Sequence, residues 1–392
     1  MPSNFQIGFQ RELQTGLGGL EAQGRRRSLG EICGVNFCSN DYLGLAEHPA
    51  LKKAVVEAVL TAARMGGTGS RLLSGQASAW HELEEEFARF AGTEAALYFA
   101  SGYTANLGLL TSLLKKDDLV FSDALNHASL IDGMRLSGAR KIVYPHLDLN
   151  FLETALRNRA AERCRKLLVT ESVFSMNGDV APVTELLALA DRFDAGVILD
   201  EAHATGVHGP SGRGIAAEHG NVQNLAATVH TCGKALASAG AFVCGSAVLK
   251  EHLINHARTF IFSTAMPPYM AEQIRAALRL TSGMDKERKE LLARAKRFAA
   301  GLRAQGWDTG NSAAQIVPVI MGENEAALAA AEFLQREGFA VRAIRPPTVP
   351  PGSARLRFSL TCGISEKEIT DLKDGMRIWS KQVCHSVAAG NA

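Results

Sequence analysis

The chain has 392 residues, 46% apolar and 21% charged, the balance of an ordinary globular protein with enough apolar material for two or three domains. Its 42 basic and 40 acidic residues leave a formal charge of +2, so no basic face is implied and neither nucleic acid nor a membrane is an expected partner. Seven cysteines, with no CxxC pair and no zinc-like spacing to histidine, predict reduced thiols, mostly core filler, in a cytoplasmic protein without a metal site.

Residues 1–45 read as an amino-terminal arm closed by NFCSNDYLGL. The stretch MPSNFQIGFQREL has no basic segment ahead of a long apolar one, so no secretory signal is expected. Residues 46–275 predict a large domain. Short runs rich in apolar and β-branched residues recur there: AALYF, LVFS, KIVY, KLLVT, GVILD, ATVHT and FVCGSAV. Gaps such as TANLGLLTSLLKK and APVTELLALADRFD have helix length. Buried strands alternating with helices predict an α/β fold with a mainly parallel sheet covered on both faces. The uncharged stretch Ala95–Leu114 is long enough to span a bilayer, but Ser101, Gly102, Tyr103, Thr104 and Asn106 divide it into strand, turn and helix. Beyond FSTAMPPYM the chain turns charged and amphipathic, then gives the runs QIVPVIM, FAVRAI and ARLRFSL. These predict a smaller carboxy-terminal α/β domain over residues 276–392 with a frayed AAGNA end.

In parallel sheets, ligands bind at the carboxyl ends of the strands, in the loops that follow them. ASGYT, TESVFSMNGD, DEAHATG and TCGK all follow strand-like runs, which predicts one shared site. Lys234 sits among small uncharged residues, and the next charged residue is Lys250. A lysine in such surroundings either snorkels to water or acts as an amine nucleophile toward a carbonyl compound. Asp200 ends the run GVILD, where it either caps the next turn or partners a cationic ring nitrogen. Pyridoxal phosphate requires such an acid, a lysine, donors for its phosphate and a group at its ring oxygen. Asp200, Lys234, Thr231, the Gly102–Tyr103 turn and His203 supply that set.

The motifs FCSNDYLGL, RLLSG, ASGYTAN, LNHASLIDG, ESVFSMNGD, DEAHATGVHG, TCGKAL, FSTAMPP and IRPPTVPPGSARLRFSLT follow one another from about Asn36 to Thr361. Together they resemble the α-oxoamine synthases, pyridoxal-phosphate enzymes of the aspartate aminotransferase fold (fold type I). That resemblance implies that Lys234 carries the cofactor and moves a proton, while Asp200 keeps the ring nitrogen protonated. It assigns His203 and Ser175 to the ring hydroxyl and His127 to the ring face. It gives the phosphate to the amides of Gly102 and Tyr103 and the hydroxyl of Thr231, with Thr264 reaching in from the second subunit of a homodimer. It gives the amino-acid carboxylate to Asn40 and Arg357. Read from the residues alone, Ser175 is a turn residue, His127 a helix start and Thr264 a loop threonine.

Glycine- and serine-using members resemble YPTVP or YPVVP where this chain has IRPPTVP, which places Arg345 and Thr348 around that loop. An arginine there suits an acyl chain ending in a carboxylate, since a buried carboxylate without a cation is costly. The implied substrates are L-alanine and the thioester of pimelate with CoA or acyl carrier protein (pimeloyl-CoA or -ACP). Pimelate-using relatives often carry an arm arginine at the position of Gly18; Arg25, Arg26 and Arg27 lie nearby, and the sequence does not choose among them. A glycine-using 2-amino-3-ketobutyrate CoA ligase is the nearest alternative. A nicotinamide-dependent oxidoreductase is the alternative of another class, disfavoured because GGTGSRLL lacks the third glycine of GxGxxG. A serine hydrolase would need a GxSxG elbow, which this chain does not have.

Overall fold

A computed structural model describes residues 3–31, 33–218, 220 and 222–389. The side chain of Cys384 and residues 390–392 of the expected frayed end lie outside the described set. In chain order the strands are β1 (Val35–Asn36), β2 (Ala95–Phe99), β3 (Leu119–Asp123), β4 (Arg140–Tyr144), β5 (Lys166–Glu171) and β6 (Ala195–Asp200). They continue as β7 (Ala227–Thr231), β8 (Ala241–Gly245), β9 (Ile316–Gly322), β10 (Phe339–Ala340), β11 (Ala343–Ile344) and β12 (Ala354–Ser359).

The chain falls into two compact units, residues 40–175 with 179–291, and residues 1–39 with 176–178 and 292–392. In the first, seven strands are ordered β2-β8-β7-β6-β5-β3-β4. Pairs among β7, β6, β5, β3 and β4 are parallel, and β8 runs antiparallel to both of its neighbours. β3, β5 and β7 are buried along their whole length, which explains their near-continuous apolar sequences. Val120, Val169, Ile198 and Val229 pack with Leu109, Leu110 and Leu130 of the flanking helices, each at no measurable exposure. Each such side chain contributes roughly 1.5–3 kcal/mol by leaving water.

Three strands of this sheet close on an acid: β3 on Asp123, β5 on Glu171 and β6 on Asp200. The turn after β2 opens helix Gly102–Leu113. Ser101 caps it, accepting the Thr104 amide at 3.1 Å while Thr104 Oγ1 accepts the Ser101 amide at 3.0 Å. Helix Ala128–Ser137 is capped by His127 and stops at Gly138 in the left-handed conformation, φ 73°.

The second unit contains an antiparallel sheet, β11-β12-β9, and the parallel pair β1-β10. Phe358 is gripped edge-on by Phe37 at 6.2 Å and Phe298 at 5.6 Å. Its helix Asn4–Ala22 buries no residue. Composition suggests a change near residue 276, whereas the units part between Leu291 and Leu292, inside helix Asp285–Ala304. Of the six cysteines described, Cys232 and Cys244 are buried, Cys38, Cys164 and Cys362 half-buried and Cys33 exposed. The core-filler expectation therefore holds for two of them. Among the described residues no helix is long and apolar enough to cross a membrane.

Candidate active site

A cavity of about 240 Å³ opens at the carboxyl ends of the central strands. Gly102 and Tyr103 line it from the loop after β2, His127 and Ser129 from that after β3, and Glu171 from the end of β5. Asp200 and His203 come from the end of β6, Thr231 and Lys234 from that of β7.

Asp200 is 4% exposed. Its Oδ1 accepts the Ala202 amide at 2.8 Å and its Oδ2 accepts Asn106 Nδ2 at 2.7 Å. The two readings of Asp200 therefore coincide: it caps the turn and still presents a hydrogen-bonded carboxylate to the cavity. Asn106 also donates to Ser129 Oγ at 2.9 Å, and Ser129 Oγ lies 2.7 Å from His127 Nδ1. Burial lowers the His127 pKa, Asp200 acts against that fall, and Lys234 adds to it. Burial and Lys234 thus favour the neutral imidazole over its cation.

His203 Nδ1 lies 2.6 Å from Tyr42 Oη, and Tyr42 Oη donates to Asn40 Oδ1 at 3.0 Å. Asn40 does not line the cavity, but this fully buried tyrosine ties it to His203. Thr231 Oγ1 donates to the Ala202 carbonyl at 3.2 Å. A Cβ on Gly102 would lie 2.6 Å from Thr231 Cγ2, so the helix start admits glycine alone at that approach. The Ser101 cap takes up the Thr104 amide, and the amides of Gly102 and Tyr103 head the first turn beside the cavity. The Lys234 loop is held shut by Cys232 N–H to Gly240 O and Ser238 N–H to Cys232 O, both 2.9 Å.

Glu171 and Asn106 also belong to this cavity, and sequence reasoning passed over both. Burial, then the Asp200 charge, push Glu171 up to about 8, while Lys234 and the amides of His127 and Ser175 pull it down. The signal for Glu171 was an acid closing an apolar run, the same signal that singled out Asp200.

Ser175 and Thr264 are not brought to the cavity lining. Ser175 approaches Glu171 with its amide, and Thr264 is exposed and bridges Ser70. Arg345, Thr348 and Arg357 belong to the second unit. Arg357 is buried on β12 and donates to Ser359 Oγ at 2.7 Å. Around Pro346–Thr348, Arg25 Nε and Arg27 Nη2 each donate to the Pro346 carbonyl at 3.4 Å, and Arg27 Nη2 is also 3.4 Å from Thr348 Oγ1. Arg345 donates to the Gly24 carbonyl. Its pKa is lowered by burial and by the neighbouring Arg27 charge. Arg26 turns away to Glu21. Of the three arm arginines left open by the sequence, Arg25 and Arg27 are the two on the Arg345 loop.

Pyridoxal phosphate fits the donor set of the cavity. It offers a lysine, a buried carboxylate held by two donors, and a helix start too tight for a side chain. Glu171 and Asn106 both line this cavity, and each carries a buried oxygen, Oε1 and Oδ1, without a hydrogen-bond partner. Fold and site together define a pyridoxal-phosphate-dependent enzyme of the aspartate aminotransferase fold.

The chain belongs to the aminotransferase class I and II family, whose model matches residues 33–374, and within it to the 8-amino-7-oxononanoate synthases. It is 46% identical over 369 residues to the 8-amino-7-oxononanoate synthase of Geobacter sulfurreducens, covering 89% of this chain and 93% of that one. It is 47% identical over 338 residues to the 8-amino-7-oxononanoate synthase of an Azoarcus species, covering 86% and 85%. Among solved structures, a Sphingomonas wittichii serine palmitoyltransferase is 30% identical with a TM-score of 0.84, covering 89% and 88%. The 8-amino-7-oxononanoate synthase of Francisella tularensis is 28% identical with a TM-score of 0.77, covering 90% and 99%.

Proposed function

We propose that the chain catalyses the decarboxylative condensation of L-alanine with pimeloyl-CoA or pimeloyl-ACP. The products are 8-amino-7-oxononanoate, carbon dioxide and CoA or the carrier protein, a step of biotin biosynthesis in the cytoplasm. The observation that carries this reading is the pairing of Asp200 and Lys234 in one cavity of a chain 46% identical to an 8-amino-7-oxononanoate synthase. When bound, pyridoxal phosphate supplies an aldehyde for the amino group and a ring that withdraws electrons from the substrate α-carbon.

The chain's own residues do the rest. Asp200, its charge supported by Asn106 and the Ala202 amide, holds a proton on the ring nitrogen. His127 would cover the ring face, with burial and Lys234 favouring its neutral form. The amides of Gly102 and Tyr103 and the Thr231 hydroxyl hold the phosphate, joined by Thr264 of the second subunit in a homodimer. His203, oriented by Tyr42, and Ser175 serve the ring oxygen. The Lys234 amine takes the α-proton of L-alanine and returns a proton after carbon dioxide leaves. Asn40 and Arg357 hold the alanine carboxylate, and Arg345 with Thr348 holds the far carboxylate of the acyl chain. The two-substrate assay, reading thiol release and the aminoketone, tests this. L-Alanine with pimeloyl-CoA turning over is the expected result; glycine turning over far better than alanine would overturn the substrate assignment.

A further inference from the structure

Glu171 closes β5 as Asp200 closes β6, and the two residues are register partners on adjacent parallel strands. Both line the cavity, 2% and 4% exposed. Two carboxyl groups on neighbouring strand tips in a buried site strongly resist ionising together. Their hydrogen bonds divide them. Both Asp200 oxygens accept a hydrogen, the arrangement a carboxylate needs. Glu171 takes the His127 and Ser175 amides, yet its Oε1 is buried and accepts none. A bare anionic oxygen closed off from water is the costly state, whereas a protonated one has a hydrogen to give. Burial and the Asp200 charge favour the same protonated form, pushing Glu171 up to about 8.

The strand order indicates what that hydrogen meets. Thr231 on β7 and Gly102 after β2 lie to one side of Asp200, and Glu171 lies to the other. A pyridoxal ring with its nitrogen at Asp200 and its phosphate arm toward Thr231 and Gly102 turns its oxygen-bearing edge to the β5 side. We propose that Glu171 is a further cofactor-binding residue, a neutral carboxylic acid donating a hydrogen bond to the ring oxygen of the pyridoxal group and leaving Asp200 as the one carboxylate at the ring. This rests on the cofactor reading above.

The test titrates full-length apoprotein with pyridoxal phosphate and with its 3-O-methyl ether, following quenching of protein fluorescence. Wild type, Glu171→Gln and Glu171→Ala are compared; glutamine keeps a donor and does not ionise. Glutamine is expected to bind pyridoxal phosphate within about threefold of wild type, and alanine about tenfold more weakly, a loss of about 1.4 kcal/mol. On the ether, which offers no phenolate, the alanine loss shrinks to less than about threefold. Raising the pH from about 7 to about 9.5 weakens wild type relative to the glutamine variant. Asp200, Lys234, His127 and His203 face the site in both proteins, so that ratio isolates Glu171. A glutamine variant as weak as alanine, or an alanine loss unchanged on the ether, overturns the proposal. If the alanine variant does not fold, infrared spectra of protein labelled with carbon-13 glutamate decide it. A protonated-carboxyl band near neutral pH that the glutamine variant lacks supports the proposal, and no such band contradicts it. Wild type failing to bind pyridoxal phosphate at all would instead sink the cofactor reading.

Discussion

Replacing His146 by alanine should destabilise the protein, and more at neutral than at alkaline pH. His146 Nδ1 lies 2.9 Å from Asp123 Oδ1 and its Nε2 lies 2.8 Å from Asp179 Oδ2. Both carboxylates are buried, and a ring facing one on each side is satisfied when both nitrogens carry hydrogen. Burial works against the charge, but the hydrogen bonds to Asp123 and Asp179 outweigh it and raise the imidazole to about 9. A rise from 6.5 to about 9 corresponds to ~3.4 kcal/mol. The side chain is 21% exposed, and solvent screening brings this to about 2 kcal/mol. Alanine also leaves two buried carboxylates without their cation, so the total loss falls at roughly 2–4 kcal/mol. Because the folded pKa lies above the unfolded one, the contribution is complete below about pH 6.5 and is lost as the pH rises through about 9. Urea denaturation of both proteins from about pH 6 to about pH 10 measures the difference. A gap that is wide at the acid end and narrows steadily agrees with an imidazolium clamp. A gap of constant size, or none near pH 6, refutes it.

Gly102→Val places a Cβ 2.6 Å from Thr231 Cγ2, so cofactor affinity should fall at least about tenfold in equilibrium dialysis. Asn106→Ala removes one of the two donors to Asp200, a hydrogen bond to a buried charge worth roughly 1.5–3 kcal/mol. Cofactor binding measured by absorbance should weaken roughly ten- to hundredfold. Arg345→Ala should raise KM for pimeloyl-CoA more than about tenfold while KM for L-alanine stays within about twofold, as steady-state kinetics would show. Equal rises in both would place Arg345 outside acyl recognition.

The strands and the two chief polar residues were legible because each depends on local sequence. An apolar run ending in acid marks Asp200, and a charge amid small residues marks Lys234. Glu171 carries the same local mark, but its meaning comes from standing beside Asp200 in register, and periodicity does not reveal strand order. Asn106 reaches Asp200 across 94 residues, and His146 meets partners 23 and 33 residues away, so neither contact leaves a trace in a local pattern. The choice among Arg25, Arg26 and Arg27 needed the path of the arm past Pro346, which three consecutive arginines do not encode. The same holds for residues 176–178, which group with the carboxy-terminal unit although their neighbours on both sides belong to the other.

The central claim is that the amine at position 234 is the attachment point for the aldehyde of the cofactor, beside the carboxylate at 200. Protein equilibrated with pyridoxal phosphate, reduced with borohydride and digested for peptide mass mapping measures this directly. A pyridoxyl mass on Lys234, in about one equivalent per chain and lost when Asp200→Ala weakens binding, is the predicted result. A label spread over surface lysines, or Lys234 recovered unmodified, contradicts the account.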